Sequence, residues 1–273
     1  MSNFRRNAIT AIAFLVNSVP FFVAGQKPTS SRLGEFYFSW GYNTEWFTHS
    51  NVHIVQPELG NNYTFKNIRG HDRRGWDDAL LSKALTIPQY NYRIGYFFNK
   101  KKGLAFEINF DHTKFIFGDQ DARLTGTLSG KRVDTTIAFN EQNGFFYYLN
   151  NGANFLLFNI VKQWNLYHSY SENFKIDALG KAGIGPVIPH VENSFFRQKN
   201  EPHFQLGGWN VGVEGAIKAT FFKTIFLEFA NKVDYARYSN LKIYKGTAKH
   251  AFGTYELIVN LGVSLPAGKK VKM

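Results

Sequence analysis

In residues 206–238, LGGWNVGVEGAIKATFFKTIFLEFANKVDYARY, apolar and polar side chains alternate over two long runs. Trp209, Val211, Val213, Ile217, Ala219 and Phe221 share one phase; Asn210, Glu214, Lys218 and Thr220 share the other. Successive side chains of a strand point to opposite faces, so each run has one apolar and one polar face. The pattern breaks at Phe222-Lys223-Thr224 and resumes with Ile225, Leu227, Phe229, Val233 and Tyr235 against Glu228, Lys232 and Asp234. Ordinary strands run about five or six residues. Runs this long, with full charges on the polar face, suit a wall whose apolar face meets lipid and whose polar face lines an interior.

The signature recurs on both sides. Upstream, Phe36, Phe38, Trp40, Tyr42 and Trp46 oppose Glu35, Ser39, Asn43 and Glu45; Tyr90 to Phe98 oppose Asn91 and Arg93; Leu104 to Phe110 oppose Glu107, Asn109 and Asp111. Phe145 to Trp164 reads as one strand with a blurred phase at 155–160, the expected mark of a bulge. Phe174 to Val187 follows with Asp177 and Lys181 inward, and Tyr255 to Leu265 closes the series with Glu256 inward. The sum is about eight long strands, or ten if the weak hairpin 122–128/133–139 joins the wall; we expect that hairpin outside it. Joints after Phe98, Trp164 and Phe222 are short, and those after Thr48, Phe117, Val187 and Tyr238 are mostly long. The stretch 49–88 loses the alternation and reads as the first external loop, with a short helix at Ala79–Ala84. Residues 190–205 and 240–249 read as further polar loops. This predicts an all-β chain with a single closed antiparallel transmembrane barrel, short turns at one end and long loops at the other.

Composition bounds the rest. The chain has 273 residues, a net charge of +12, 17% aromatics and no cysteine. Disulfides, thiolate metal sites and lipidated cysteine anchors are therefore excluded. Arg5 and Arg6, the apolar residues up to Ala24, and the small residues Val23-Ala24-Gly25 before Gln26 form an export signal. No later stretch approaches the roughly 20 apolar residues of a membrane helix. The expected division is 1–25 signal peptide, 26–33 N-terminal periplasmic segment, 34–265 barrel and 266–273 basic tail with Lys269, Lys270 and Lys272. His71, Asp72, Asp77 and Asp78, or His190, Glu192 and His203, fit no standard metal spacing. No phosphate-binding glycine loop is present, and we expect no metal, no cofactor and no nucleic-acid partner.

From Gly34 to Leu265 the chain resembles the small outer-membrane β-barrel proteins of Gram-negative bacteria, a porin-like class of the cell envelope. The Val-Ala-Gly-Gln junction and the high Asn, Lys, Tyr and Phe content are similar to a Bacteroidetes-type source. The resemblance implies the bacterial outer membrane with both termini periplasmic. The family's usual C-terminal aromatic is absent here, since the strand ends at Leu265 and a tail follows. A second, local resemblance is to outer-membrane lipid A deacylases, which carry His-x-Ser-Asn on a late strand and an acid downstream. Here Arg237-Tyr238-Ser239-Asn240 stands in that place, with Glu256 downstream. Arg237 stays protonated and cannot take the serine proton. The residual catalytic candidates are Ser239, His250 and Glu256, and the expectation is a non-catalytic barrel.

About eight strands enclose room for side chains only. Buried charges persist when paired. We therefore expect a lumen network of Glu35, Arg93, Glu107, Asp111, Asp177, Lys181, Glu214, Lys218, Glu228, Lys232, Asp234 and Glu256, with Glu214, Lys218, Glu228 and Lys232 joined on neighbouring strands. A narrow channel for small solutes is the alternative. At the outer rim, Arg69, Arg73, Arg74, Trp76, Arg123 and Arg132 are candidates for lipopolysaccharide, because Arg binds phosphate bidentately and keeps its charge. Outer-membrane lipids are the expected surroundings, and loop 49–88 is a candidate surface for a protein partner.

Overall fold

The strand pairing starts from the two runs that alternate best. A computed structural model describes residues 31–73, 89–149 and 152–271. In chain order the strands are β1 (Ser31–Phe47), β2 (Ser50–Gln56), β3 (Asn61–Ile68), β4 (Tyr90–Asn99), β5 (Leu104–Asp111), β6 (Phe115–Phe117), β7 (Gln120–Leu128), β8 (Lys131–Phe139), β9 (Phe146–Leu149), β10 (Phe155–His168), β11 (Phe174–Pro186), β12 (His190–Phe195), β13 (Gln198–Lys199), β14 (His203–Phe204), β15 (Gly208–Phe221), β16 (Ile225–Ile243) and β17 (Gly246–Val271). Eight of them form a ring in the order β1-β4-β5-β10-β11-β15-β16-β17, closed by pairing of β17 with β1. Every pairing around the ring is antiparallel. The closed barrel thus has eight strands, and the ten-strand alternative falls away.

Its polarity is inside out. Val213 is 59% exposed while its neighbour Glu214 is 7% exposed, and the same contrast repeats around the ring. Aliphatic residues such as Ile94, Ile108, Ile160, Leu227 and Leu261 form an exposed band. Aromatic pairs gather towards both strand ends: Trp46 with Tyr255 and Trp209 with Tyr235 at one, Phe36 with Tyr96 and Phe174 with Phe221 at the other. An apolar band between two aromatic girdles is what a wall in lipid requires, because amphipathic rings favour the interface.

The chain reverses tightly at 100–103, 169–173 and 222–224, as the sequence predicts. At the opposite end the connections are not loops. Residues 49–88 contain β2 and β3; 190–205 contain β12 to β14; and 240–249 are the tip of an extended β16–β17 hairpin, pinched by a register shift between Tyr238 and Leu241. β2 pairs with that tip through Val55↔Thr247 and His53↔Lys249. The sheet continues as β2-β3-β7-β8, so the hairpin 120–139 lies outside the wall as expected. A second sheet has the order β13-β12-β9-β6, with β14 on β12.

Between these sheets lies a core that includes Phe65, Phe117, Phe139, Phe145, Tyr147 and Phe195, all buried. Residues 145–164 are accordingly two elements, since Phe146–Leu149 belong to this cap and the wall strand begins at Phe155. No bulge sits at 155–160, where β10 runs in unbroken register with β5. The phase blurs there because the inward positions Phe155 and Leu157 are themselves apolar and buried. The helix expected at 79–84, with Asp77 and Asp78, lies outside the described residues, as does the expected export signal. Residues beyond Leu265 continue β17, with backbone pairs Gly34↔Ala267 and Ser31↔Val271.

Candidate functional site

Three layers fill the barrel from the turn end to the cap. The first is apolar. Tyr37, Phe97 and Phe226 fill the bore, made roomy by glycines opposite them: a Cβ on Gly95 would lie 2.1 Å from the Tyr37 ring, and one on Gly262 2.2 Å from Phe226. Lys218 Nζ lies 4.9 Å from the Phe226 ring centroid and 5.3 Å from that of Phe97, a cation–π seat. Asp177 accepts from Asn165 at 2.9 Å, and Glu35 pairs with Lys100 at the turn end.

The second layer is ionic and has two tiers. In the lower, Arg93 grips Glu214 through Nη1 at 2.5 and 2.7 Å and lies 3.6 Å from Glu228 and 3.9 Å from Glu107. Lys181 joins the same three carboxylates, Glu107 at 3.0 Å, Glu214 at 3.1 Å and Glu228 at 2.9 Å. Tyr37 and Asn159 donate to the two Glu107 oxygens at 2.8 and 3.0 Å. In the upper tier Lys232 meets Asp111, Asp234 at 2.9 Å and Glu256 at 3.3 Å. Asn43 links Glu45 to Glu256 at 2.8 and 3.4 Å. Every charged residue expected in the lumen is buried there. The four expected to form one network are divided, however. Lys218 stands opposite Glu228 and Glu214 opposite Lys232 in the register, yet Lys218 turns to rings and Lys232 to the upper tier. A backbone register fixes a face, while a long side chain is free to choose among partners on it. Tyr37 and Glu45 share the inward phase of Glu35; that phase was the signal for Tyr37's part, which the charge pattern alone did not give.

The third layer is a set of packed rings at the mouth. Phe252 stacks on Phe115 at 4.5 Å and meets Phe47 at 5.2 Å and Phe155 at 6.5 Å. Lys232 Nζ lies 5.5 Å from the Phe155 ring centroid. These rings are continuous with the cap core.

The residual catalytic set is not assembled. His250 faces inward, stacked on Tyr238 at 4.7 Å, and neither ring nitrogen has a partner. Ser239 adjoins the inward-facing Tyr238 on the strand and so takes the opposite face, its N–H donating to the Gly207 carbonyl. Glu256 belongs to the Lys232 tier. Burial pushes the His250 imidazole down to about 3, and burial holds His112, beyond the last β4–β5 pair, down at about 4 despite its bond to Asn154. An unfolded histidine takes its proton near 6.5. Between that value and the folded value the unfolded chain binds more protons, so stability falls as pH falls, by roughly 1.4 kcal/mol per pH unit per histidine. The cap should become protease-sensitive as the pH drops from about 6 towards 4. His250→Phe, which puts an apolar ring among rings, should flatten that slope by about one proton; an unchanged acid limb would refute the assignment.

Of the rim candidates, Arg69, Arg73, Arg123 and Arg132 are exposed, while Arg74 and Trp76 lie outside the described residues. Arg123 already forks Asp134 at 2.9 and 3.0 Å. Asp72 binds inward, accepting from Thr44 Oγ1 at 3.1 Å and the Glu45 N–H at 2.9 Å. No group of three or more metal-ligating side chains occurs among the described residues.

Comparison with known proteins gives no matching family model and no matching curated protein. Among solved structures the chain is similar to the N-terminal β-barrel domain of OprF from Pseudomonas aeruginosa, with 6% identity, 86% of this chain and 98% of that chain covered, and a TM-score of 0.35. OprG from the same organism gives 9% identity, coverage of 88% and 100%, and a TM-score of 0.35. AlkL, solved in lipid bilayers, gives 10%, 92% and 98%, and 0.35. OprG and AlkL are outer-membrane proteins; the eight-stranded ring of this chain stands on its own strand pairing.

Proposed function

We propose that the chain is a non-catalytic barrel of the bacterial outer membrane, with its turns and both strand termini on the periplasmic side and its cap outside the cell. Its lumen is closed by paired charges, and its work is surface interaction through the cap. The observation that carries this reading is the aromatic seal, which runs without a break from the barrel mouth into the cap core. A packed layer of rings above a paired ionic layer leaves an ion no open path. The ligand class we assign is the anionic sugar-phosphate of lipopolysaccharide, met by the exposed Arg69 and Arg73.

In planar bilayers the folded protein should give no current steps, and it should bind lipopolysaccharide in a salt-sensitive way that weakens several-fold in an Arg69→Ala, Arg73→Ala double variant. Stepwise conductance would remove the plugged reading and return the narrow channel. Binding indifferent to both salt and the double variant would remove the arginines from it.

A further inference from the structure

Among the described residues, strand β8 ends the twelve-strand order and pairs with β7 alone. Its hairpin turns through Ser129 and Gly130, at φ 48° and 77°, so Leu128↔Lys131 is the first hydrogen-bonded pair. The ladder alternates from there. Val133, Thr135 and Ile137 give their backbone groups to β7, whereas those of Arg132, Asp134 and Thr136 point away from it. Ala138 shares that outward phase, but its carbonyl already accepts from Asn143 at 3.1 Å. The edge is rigid as well as open: the turn is pinned where the Gly130 N–H donates to the Gly60 carbonyl at 2.9 Å and the Ser129 N–H to Asn61 Oδ1 at 2.8 Å. Val133 and Ile137 pack on the cap core, and Arg132, Asp134 and Thr136 are exposed. A fixed, unpaired edge is a template for a further strand.

We propose that this edge pairs with the β8 edge of a second copy, in an antiparallel register centred on Val133. The charges argue for the occupant. Two-fold pairing places one residue opposite itself. Centring on Arg132 or Asp134 sets like charges face to face, which is unfavourable, and centring on Thr135 leaves Arg132 opposite Ala138. Centring on Val133 sets Arg132 of each copy opposite Asp134 of the other, twice. Each Asp134 then lies between that guanidinium and its own Arg123, and the two valines meet on the side that faces the apolar core. The same charges that discourage other pairings make the edge complementary to itself.

The chain has no cysteine, so the register is readable by single substitutions. In this pairing the two copies of residue 133 form a non-hydrogen-bonded pair, with Cα atoms about 4.5 Å apart, within disulfide reach. Copies of residue 135 lie roughly 13 Å apart by strand rise, out of reach. Val133→Cys should give a disulfide-linked dimer in mild detergent and in membranes, and Thr135→Cys should remain monomeric. The parent should sediment as a dimer in detergent and Arg132→Asp as a monomer, which tests the pairing without touching the apolar side. A monomeric parent, equal cross-linking at 133 and 135, or a different polypeptide recovered on β8 would each overturn the proposal.

Discussion

Replacing Arg93 with methionine should destabilise the folded barrel by about 3–5 kcal/mol, the cost of breaking a buried charge pair from one side. The guanidinium is fully buried and faces Glu107, Glu214 and Glu228 together. Without it, Lys181 alone confronts three buried carboxylates. The loss is read from urea unfolding in micelles and from the temperature at which heat-modifiable mobility disappears. Adding Glu214→Gln to the same chain should recover much of the loss, because it removes the charge that the arginine left behind. A change under about 1 kcal/mol would mean that water already solvates the lower tier, and the sealed lumen would go with it.

The second large effect belongs to the cap. Phe65 is buried among five rings, with centroids at 5.5 Å from Tyr63, 6.0 Å from Phe117, 5.1 Å from Phe139, 6.3 Å from Phe145 and 5.8 Å from Phe195. Phe65→Ala removes the centre of that cluster and should cost about 3–5 kcal/mol. Because β3 lies outside the ring, the loss should appear as cleavage of residues 48–73 and 112–149 by added protease while the barrel keeps its heat-modifiable mobility. Loss of the barrel band in step with cap cleavage would show that the two unfold as one unit.

The contrast between these regions explains what the sequence disclosed. Wall strands such as 209–221 carry a local signal, since lipid outside and ions inside force a period of two residue by residue. Phe65 carries no such signal. Its neighbours come from β3, β6, β8, β12 and the residue before β9, which lie on three separate connections, and its burial is a property of how those connections meet. The cap strands are short and broken by polar turns, so composition alone makes them read as solvated loops. The inward charges were legible as a set because the alternation fixes their face; their partners were not, because Lys218 and Lys232 each pass over the residue opposite to reach another. The ring at 155–160 misled for a related reason, as rings sealing the mouth face inward where the pattern elsewhere has polar groups.

β17 pairs with β16, with β1 and, through its first residues, with β2. Three separate parts of the molecule thus depend on a segment that follows all of them in the chain. Until it arrives, β1 and β16 both present open backbone edges, and the sheet that begins at β2 has no attachment to the wall. Pairings between such distant residues as Ser31 and Val271 form slowly, and unpaired strands invite aggregation meanwhile. The chain must therefore be kept from pairing with other chains until that strand is in place, and wall and cap become complete in the same event.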